Sequence, residues 1–184
     1  MIKIRFYIVF TLVFISHGIS LSQDTNLVLK DIREKYKFIK NNMQSYDTAS
    51  IQLWDESTDG GRATAFYDNK TLKLIKVFYF GETGKTQIEY YFNNDKLFFA
   101  FEKASRYNRP YYWDKKHMQE NNDSVIYDQN KTIVIEDRYY FNDEKLILWI
   151  NNENEKPDLT LGTNTIVGQG LISHAYHIKS KLKN

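Results

Sequence analysis

Residues 104–123 form a stretch of about twenty residues with little apolar periodicity that holds four aromatic side chains, Tyr107, Tyr111, Tyr112 and Trp113. A loop of this length is uncommon in a compact domain and is usually functional or disordered. Tyrosine and tryptophan offer flat apolar faces with polar tips, which suit stacking on a sugar or anchoring of a partner protein. The alternative is structural, with Pro110 turning the chain so that the rings cap the open end of a sheet. The predicted binding residues are Tyr107, Arg109, Tyr111, Tyr112 and Trp113.

Pairs of carboxylates are the second feature with catalytic potential. Glycoside hydrolysis needs two carboxyl groups that flank the scissile bond, and we expect Glu89 and Glu102 to share one face of a hairpin. Many acids on a solvated sheet would do the same, so solvated charges are the simpler interpretation. No serine lies in a Gly-x-Ser-x-Gly turn and histidines are few, which argues against a Ser-His-Asp triad.

Two other motifs fail on their spacing. His174 and His177 could share one face of a helix, but a two-histidine metal site needs a third ligand, and the nearest acid in sequence is Asp158. The run from Gly81 to Thr86 invites comparison with a phosphate-binding loop, whose first glycine would fall at Tyr79. We therefore predict a hairpin turn there, and neither a metal ion nor a cofactor.

Composition limits the classes of protein to which the chain can belong. It has 184 residues, of which 42% are hydrophobic, and no cysteine, which fits one globular domain without disulfides or thiolate metal sites. Lys and Arg number 25 against 23 Asp and Glu, and two of the cations lie in the first 22 residues. A nucleic-acid-binding protein would show a surplus of clustered cations. We therefore exclude nucleic acid as a partner.

Residues 1–22 are typical of a secretory signal peptide. Lys3 and Arg5 precede a short apolar run, and small residues end at Ser22, where we expect cleavage; cleavage after Ser20 is the alternative. The apolar run is too short to cross a hydrocarbon core of about 30 Å comfortably. The sequence thus predicts a periplasmic or secreted protein with no stable membrane span after cleavage, and a single domain over residues 23–184.

Two helices and a sheet are the elements that must position these residues. Apolar residues recur at spacings of three and four after residues 24–26, which offer N-cap side chains, and predict a helix ending at Asn41-Asn42. A second apolar stripe starts at Val167. Segments rich in aromatic and β-branched residues, separated by polar turns, predict strands at 51–55, 62–67, 72–80, 86–92, 97–103, 124–127, 132–141 and 145–151.

An internal repeat predicts how the strands pair. Tyr90–Leu97 aligns with Tyr139–Leu146 at an offset of 49, and Tyr67–Leu72 is a weaker third copy. With a turn at Asn94-Asp95, Phe92 opposes Leu97. One face then carries Ile88, Tyr90, Phe92, Leu97, Phe99 and Phe101, joined by Tyr139, Phe141, Leu146, Leu148 and Ile150 of the second copy. The other face, with Tyr91 and Phe98, is expected to be half exposed.

These aromatic–Asn–Asp–Lys–Leu hairpins resemble the degenerate hairpin repeats of MORN-like proteins. The run from Gly81 to Lys85, followed by Glu89-Tyr90-Tyr91-Phe92, is similar to a group of small uncharacterised exported proteins of Gram-negative bacteria. The resemblance covers roughly residues 60–150, although the Tyr-x-Gly core of typical MORN repeats is lacking. It implies a meandering antiparallel sheet and carries no active site.

The expected fold is α+β, with a curved, mostly antiparallel sheet of six to eight strands, hairpin repeats around residues 62–151, and a helix at each end of the chain. The expected function is that of an exported, non-enzymatic binding module that contacts a protein or glycan through the half-exposed sheet face and residues 107–113. The alternative is a hydrolase that acts on polysaccharide or cell-wall material through paired carboxylates. A third is a small enzyme inhibitor with the long loop as its plug.

Overall fold

A computed structural model of the chain describes residues 7–183, with side chains from residue 24 onward. Seven strands form one open sheet in the order of the sequence, and every neighbouring pair is antiparallel. This meander, with a helix before it and a helix after it, confirms the predicted α+β fold. The elements are α1 (Tyr7–Asn42), β1 (Asp47–Gln52), β2 (Gly61–Asp68), β3 (Thr71–Gly81), β4 (Gly84–Asn93), β5 (Lys96–Arg106), α2 (Lys115–Glu120), β6 (Ile133–Asn142), β7 (Lys145–Ile150) and α3 (Gly162–Lys181).

The first helix ends where the sequence predicts but begins earlier. It is continuous from Tyr7, so residues 24–26 lie inside it and the predicted N-cap there is wrong. The apolar run before these residues is itself compatible with a helix. Because an existing helix extends more easily than a new one nucleates, the helix continues through residues 24–26 without an N-cap there. The signal peptide falls on residues 1–6 and on side chains before residue 24, both outside the described part, and stays a prediction. Within the described residues, no helix is long and apolar enough to cross a bilayer.

The segment between β5 and β6 differs most from expectation. It is ordered and contains α2, and residues 124–127 do not form a strand. The Asp123 carboxylate accepts hydrogen bonds from the backbone N–H groups of Ser124 and Val125, and Asn108 donates to the carbonyl of Ile126. These bonds hold the backbone in a turn, so it is not available to a strand ladder.

Three hairpins of the sheet share one turn geometry. The residue pairs at the turns are Asn69-Lys70, Asn94-Asp95 and Asp143-Glu144, and all six residues have positive φ. Positive φ at both central positions is the geometry of type I′ turns, whose twist matches that of the flanking strands. Phe92 pairs with Leu97 and Phe141 with Leu146, so the register predicted at the turns is correct.

A β-bulge follows each of these turns and changes which residues share a face. Tyr91 pairs with Phe99 while Phe92 pairs with Leu97, so Phe98 is an extra residue on β5. Lys73 and Ile147 are the equivalent extra residues of the other two hairpins. Because side chains alternate, one extra residue moves the rest of the strand to the opposite face. The predicted placement of Phe99, Phe101, Leu148 and Ile150 is therefore wrong.

Each helix covers one face of the sheet. The α3 face is built around Tyr90, Phe92 and Tyr139, with Ala175 and Ile178 of the helix packed on it. The α1 face is built around Tyr91, Phe98 and Phe99, with Ile32 and Ile39 of the helix packed on it. The expectation that Tyr91 and Phe98 lie on a half-exposed face is wrong, because the apolar stripe of α1 encloses them.

Candidate functional site

The predicted binding residues lie in a loop that rests on the β3–β4 turn. We call residues 107–113 the aromatic loop. Its ends are fixed by two backbone hydrogen bonds, from Tyr107 N–H to the Thr83 carbonyl at 2.8 Å and from Tyr111 N–H to the Glu82 carbonyl at 2.9 Å. The loop is therefore attached to the rigid end of a long hairpin.

Asp123 organises the inside of this loop. The Arg109 guanidinium donates to both of its carboxylate oxygens, at 2.7 and 3.0 Å, and the Trp113 indole donates to one of them at 3.1 Å. The hydrogen bonds from Arg109 hold the pKa of Asp123 well below its usual range. Arg109 and Trp113 are thus engaged within the protein and build the scaffold of the loop.

The five predicted residues consequently divide into two groups. Tyr107 is half-buried and packs edge-on against Tyr127, so it belongs with the scaffold. Tyr111 and Tyr112 are 58% and 39% exposed, and their rings meet nearly at right angles with centroids 5.4 Å apart. The Tyr112 hydroxyl donates to Glu82 at 2.9 Å. The exposed part of the predicted site is therefore a pair of tyrosines.

A polar network under α3 was not predicted. Tyr79 donates its hydroxyl proton to Glu56 at 2.9 Å, and the Nε2 atom of His174 lies 2.6 Å from the same hydroxyl oxygen. The Nδ1 atom of His174 lies 2.7 Å from the Tyr90 hydroxyl. Because Tyr79 has used its proton, the Nε2 atom of His174 donates to it. When the ring is neutral, Nδ1 carries no proton and accepts from Tyr90.

Electrostatics agree with this proton order. Burial lowers the pKa of His174, which favours the neutral ring. Burial alone would raise the pKa of Glu56, but hydrogen bonds from Lys181, Tyr79 and His177 outweigh it and lower the pKa to about 2. No sequence signal connects these residues, because His174 lies 84 positions from Tyr90 and 95 from Tyr79.

Two carboxylates oppose each other on the α3 face. The predicted pair is wrong, because Glu89 lies on the α1 face while Glu102 lies on the α3 face, where it pairs with Asp137 of β6. Burial, and after it the Asp137 charge, raises the pKa of Glu102. The Trp149 indole donates to Asp137 at 3.0 Å and stacks on Tyr139. The structure thus brings together a protonatable acid, a carboxylate and two aromatic rings.

Among the residues from 24 to 183, no group of three or more histidines and acids lies close enough to hold an ion. His177 instead donates from Nε2 to the Glu56 carboxylate at 3.0 Å.

Comparison of the chain with protein families, with curated protein sequences and with solved structures finds no match. The resemblance to MORN-like repeats therefore stays a prediction.

Proposed function

We propose that the protein is an exported, non-enzymatic binding module that contacts a protein or glycan through Tyr111 and Tyr112. The observation that carries this proposal is the exposure of two adjacent tyrosines on a loop that other residues hold in place. Arg109, Asp123 and Trp113 hold the loop from within. Exposed aromatic rings on a preformed loop are the kind of residue that dominates binding surfaces.

The rigidity of the loop supports a binding role. Ordering a flexible segment on binding costs conformational entropy, whereas a preformed surface avoids that cost. Exposed Ile126 is tied to the same scaffold, because its carbonyl accepts from Asn108 at 2.9 Å. The binding surface therefore combines the tyrosine rings with the Glu82 carboxylate that receives the Tyr112 hydroxyl.

Replacing Tyr111 and Tyr112 together with alanine tests the proposal. We expect the double variant to lose capture of periplasmic or secreted proteins in a pull-down, or retention on insoluble peptidoglycan and cellulose, by at least about 10-fold. The melting temperature should change little, because both rings are exposed. Trp54→Ala is the matched control, since Trp54 is 74% exposed and lies outside the loop. A double variant that still binds, or that melts early, would contradict the proposal; early melting would favour the capping role.

A hydrolase is the second candidate, and the Glu102–Asp137 pair favours it. A raised pKa suits Glu102 as a general acid that protonates a leaving oxygen, and the Asp137 carboxylate would act as the base or nucleophile on the same face. Trp149, which is partly exposed and backed by the buried ring of Tyr139, would supply a stacking surface for a sugar ring.

The variants Glu102→Gln and Asp137→Asn separate the two candidates. If the protein is a hydrolase, each variant should lower the release of reducing ends from polysaccharide or peptidoglycan by at least about 100-fold. Neither variant changes Tyr111 or Tyr112, so binding through these tyrosines should be unaffected. Glu153→Gln is a control in an exposed acid of the linker between β7 and α3. Absence of any hydrolysis by the wild-type protein on the same substrates removes this candidate and leaves the binding module.

A further inference from the structure

A groove of about 480 Å³ runs along α1 on the α1 face, where the helix leaves β5 and β6 partly uncovered. Its walls are Arg33 and Tyr36 from the helix and Phe101 and Arg138 from the strands, and its floor is made by Phe99 and Tyr140. The volume falls in the usual range of small-molecule sites, which are mostly apolar with a few placed polar groups. We call it the two-arginine groove.

The groove is aromatic and carries only positive charge. Arg33 and Arg138 come from opposite walls, and Lys37 is a third cation at the rim, whereas no acidic residue lines the groove. Arg33 lies over the Tyr140 ring at 5.9 Å and Arg138 over the Phe101 ring at 5.8 Å. Both guanidinium groups therefore lie beside aromatic surface while remaining accessible from solvent, with Arg33 exposed and Arg138 partly exposed.

The charges of these arginines are poorly compensated. In the described part of the chain no carboxylate lies within ion-pair distance of Arg33, and Arg138 has a single contact of 3.4 Å to Glu136. That carboxylate also receives Lys103 at 2.8 Å, so it is shared between two cations. A planar guanidinium with free donors beside an aromatic surface is suited to a carboxylate, sulfonate or phosphate group.

Two tyrosine hydroxyls add further donors. Tyr36 packs edge-on against Phe99 with ring centroids 5.1 Å apart, and Tyr140 lies 5.0 Å from Phe99. Across residues 24–183, neither hydroxyl has a hydrogen-bond partner, although both residues line the groove. A bound anionic group would give these hydroxyls an acceptor, which the protein itself does not provide.

We propose that the two-arginine groove binds a small soluble amphipathic anion, with the anionic head at Arg33 and Arg138 and the apolar body on Phe99 and Tyr140. The site lies on the sheet face opposite Glu102 and does not depend on the aromatic loop. Charge complementarity selects the head group and the aromatic floor selects a flat or aliphatic body, so a neutral molecule of the same shape binds more weakly.

Anilinonaphthalene sulfonate is the probe, because its fluorescence rises when its rings leave water. Its neutral counterpart is N-phenyl-naphthylamine, which has similar rings and no anionic group. We expect the anionic probe to bind with one site per chain and to be displaced by laurate. Arg33→Gln and Arg138→Gln should each weaken its binding about 10-fold, since each removes a charge-assisted hydrogen bond, while binding of the neutral probe changes little.

Arg62→Gln is the matched control, because Arg62 is an exposed arginine of β2 on the same sheet face and does not line the groove. It should leave binding of both probes unchanged. The proposal is overturned if the arginine variants bind the anionic probe as tightly as the wild-type protein while keeping its melting temperature. It is also overturned if both probes bind equally, or if laurate fails to compete while vesicles of an anionic phospholipid do, which would indicate a membrane surface. Arg33→Lys is a conservative variant that keeps the positive charge, so it should fold like the wild-type protein and retain part of the affinity for the anionic probe.

Discussion

Replacing Lys40 and Lys76 together with methionine is expected to lower the free energy of unfolding by about 3–5 kcal/mol, because it leaves the Glu89 carboxylate buried without a counter-charge. Glu89 is only 1% exposed. Lys40 of α1 and Lys76 of β3 approach its two oxygens at 3.2 and 3.3 Å. The Tyr91 hydroxyl and the Gln87 amide donate to it at 2.5 and 2.9 Å. The carboxylate thus joins helix to sheet.

The pH dependence of the double variant should have the opposite sign to that of the wild-type protein. Burial alone would raise the pKa of Glu89, but Tyr91, Lys76 and Lys40 outweigh it and lower the pKa. A lowered folded-state pKa adds stability that is present above the unfolded-state pKa and is lost on acidification. Without the two ammonium groups burial dominates, the folded state takes up a proton more readily than the unfolded state, and stability rises as the pH falls.

Urea denaturation from about pH 7 to about pH 3 measures both effects, because the wild-type protein loses the Glu89 contribution only as the pH falls through and below the usual pKa of 4.5. Lys35→Met with Lys73→Met is the matched control, because it also removes one lysine from α1 and one from β3, but their partners Asp31 and Asp68 are exposed or half-exposed. The control pair should cost less than about 1 kcal/mol. Adding Glu89→Gln to the Lys40/Lys76 double variant should restore much of the loss. Equal losses in the two double variants would refute the role assigned to Glu89.

The turns and strand order were predictable because they depend on local chemistry. Polar pairs such as Asn94-Asp95, placed between aromatic and aliphatic segments, indicate a two-residue turn, and the turn fixes the nearest cross-strand pairs. A meander then follows, since each short turn makes consecutive strands neighbours.

The bulges were not predictable from alternation, because both faces of this sheet are buried. Leu97-Phe98-Phe99 is apolar throughout, so an extra residue at Phe98 exposes no apolar side chain and leaves no mark in the pattern. The same holds for Leu146-Ile147-Leu148. In the third hairpin the extra residue is the polar Lys73 between Leu72 and Leu74, so an apolar triplet is not common to the three bulges.

The candidate site was predicted in part. Aromatic composition pointed to residues 107–113, but composition does not distinguish Trp113, which donates to Asp123, from Tyr111, which faces solvent. That distinction depends on Asp123, which follows α2 in the same loop. The contacts of Glu102 with Asp137 and of His174 with Tyr90 join distant segments, and single-sequence patterns carry no such information.

Replacing His174 with phenylalanine is expected to destabilise the protein by about 2–4 kcal/mol, because the buried Tyr90 hydroxyl loses its acceptor and Tyr79 loses a donor. Phenylalanine keeps the aromatic contacts that His174 makes with both tyrosine rings. The loss therefore reports on the two ring nitrogens and not on a cavity.

The pH profile identifies the neutral histidine. A lowered pKa means that the unfolded state binds a proton below about pH 6.5 while folded His174 does not, so stability is complete above this pH and declines as the pH falls. Glu56 titrates in a lower pH range, because its pKa is lowered to about 2 and its contribution to stability is lost only below its usual pKa of 4.5.

Thermal unfolding measured below about pH 6.5 and above the Glu56 range should therefore show that the wild-type protein loses stability as the pH falls, whereas His174→Phe does not. His177→Phe, at an exposed histidine of the same helix, should keep the decline. The proposed hydrogen-bond chain runs from Tyr90 to His174, from His174 to Tyr79, and from Tyr79 to Glu56. A wild-type stability that does not change in this pH range would contradict it. So would an NMR spectrum that shows the proton of the neutral ring on Nδ1.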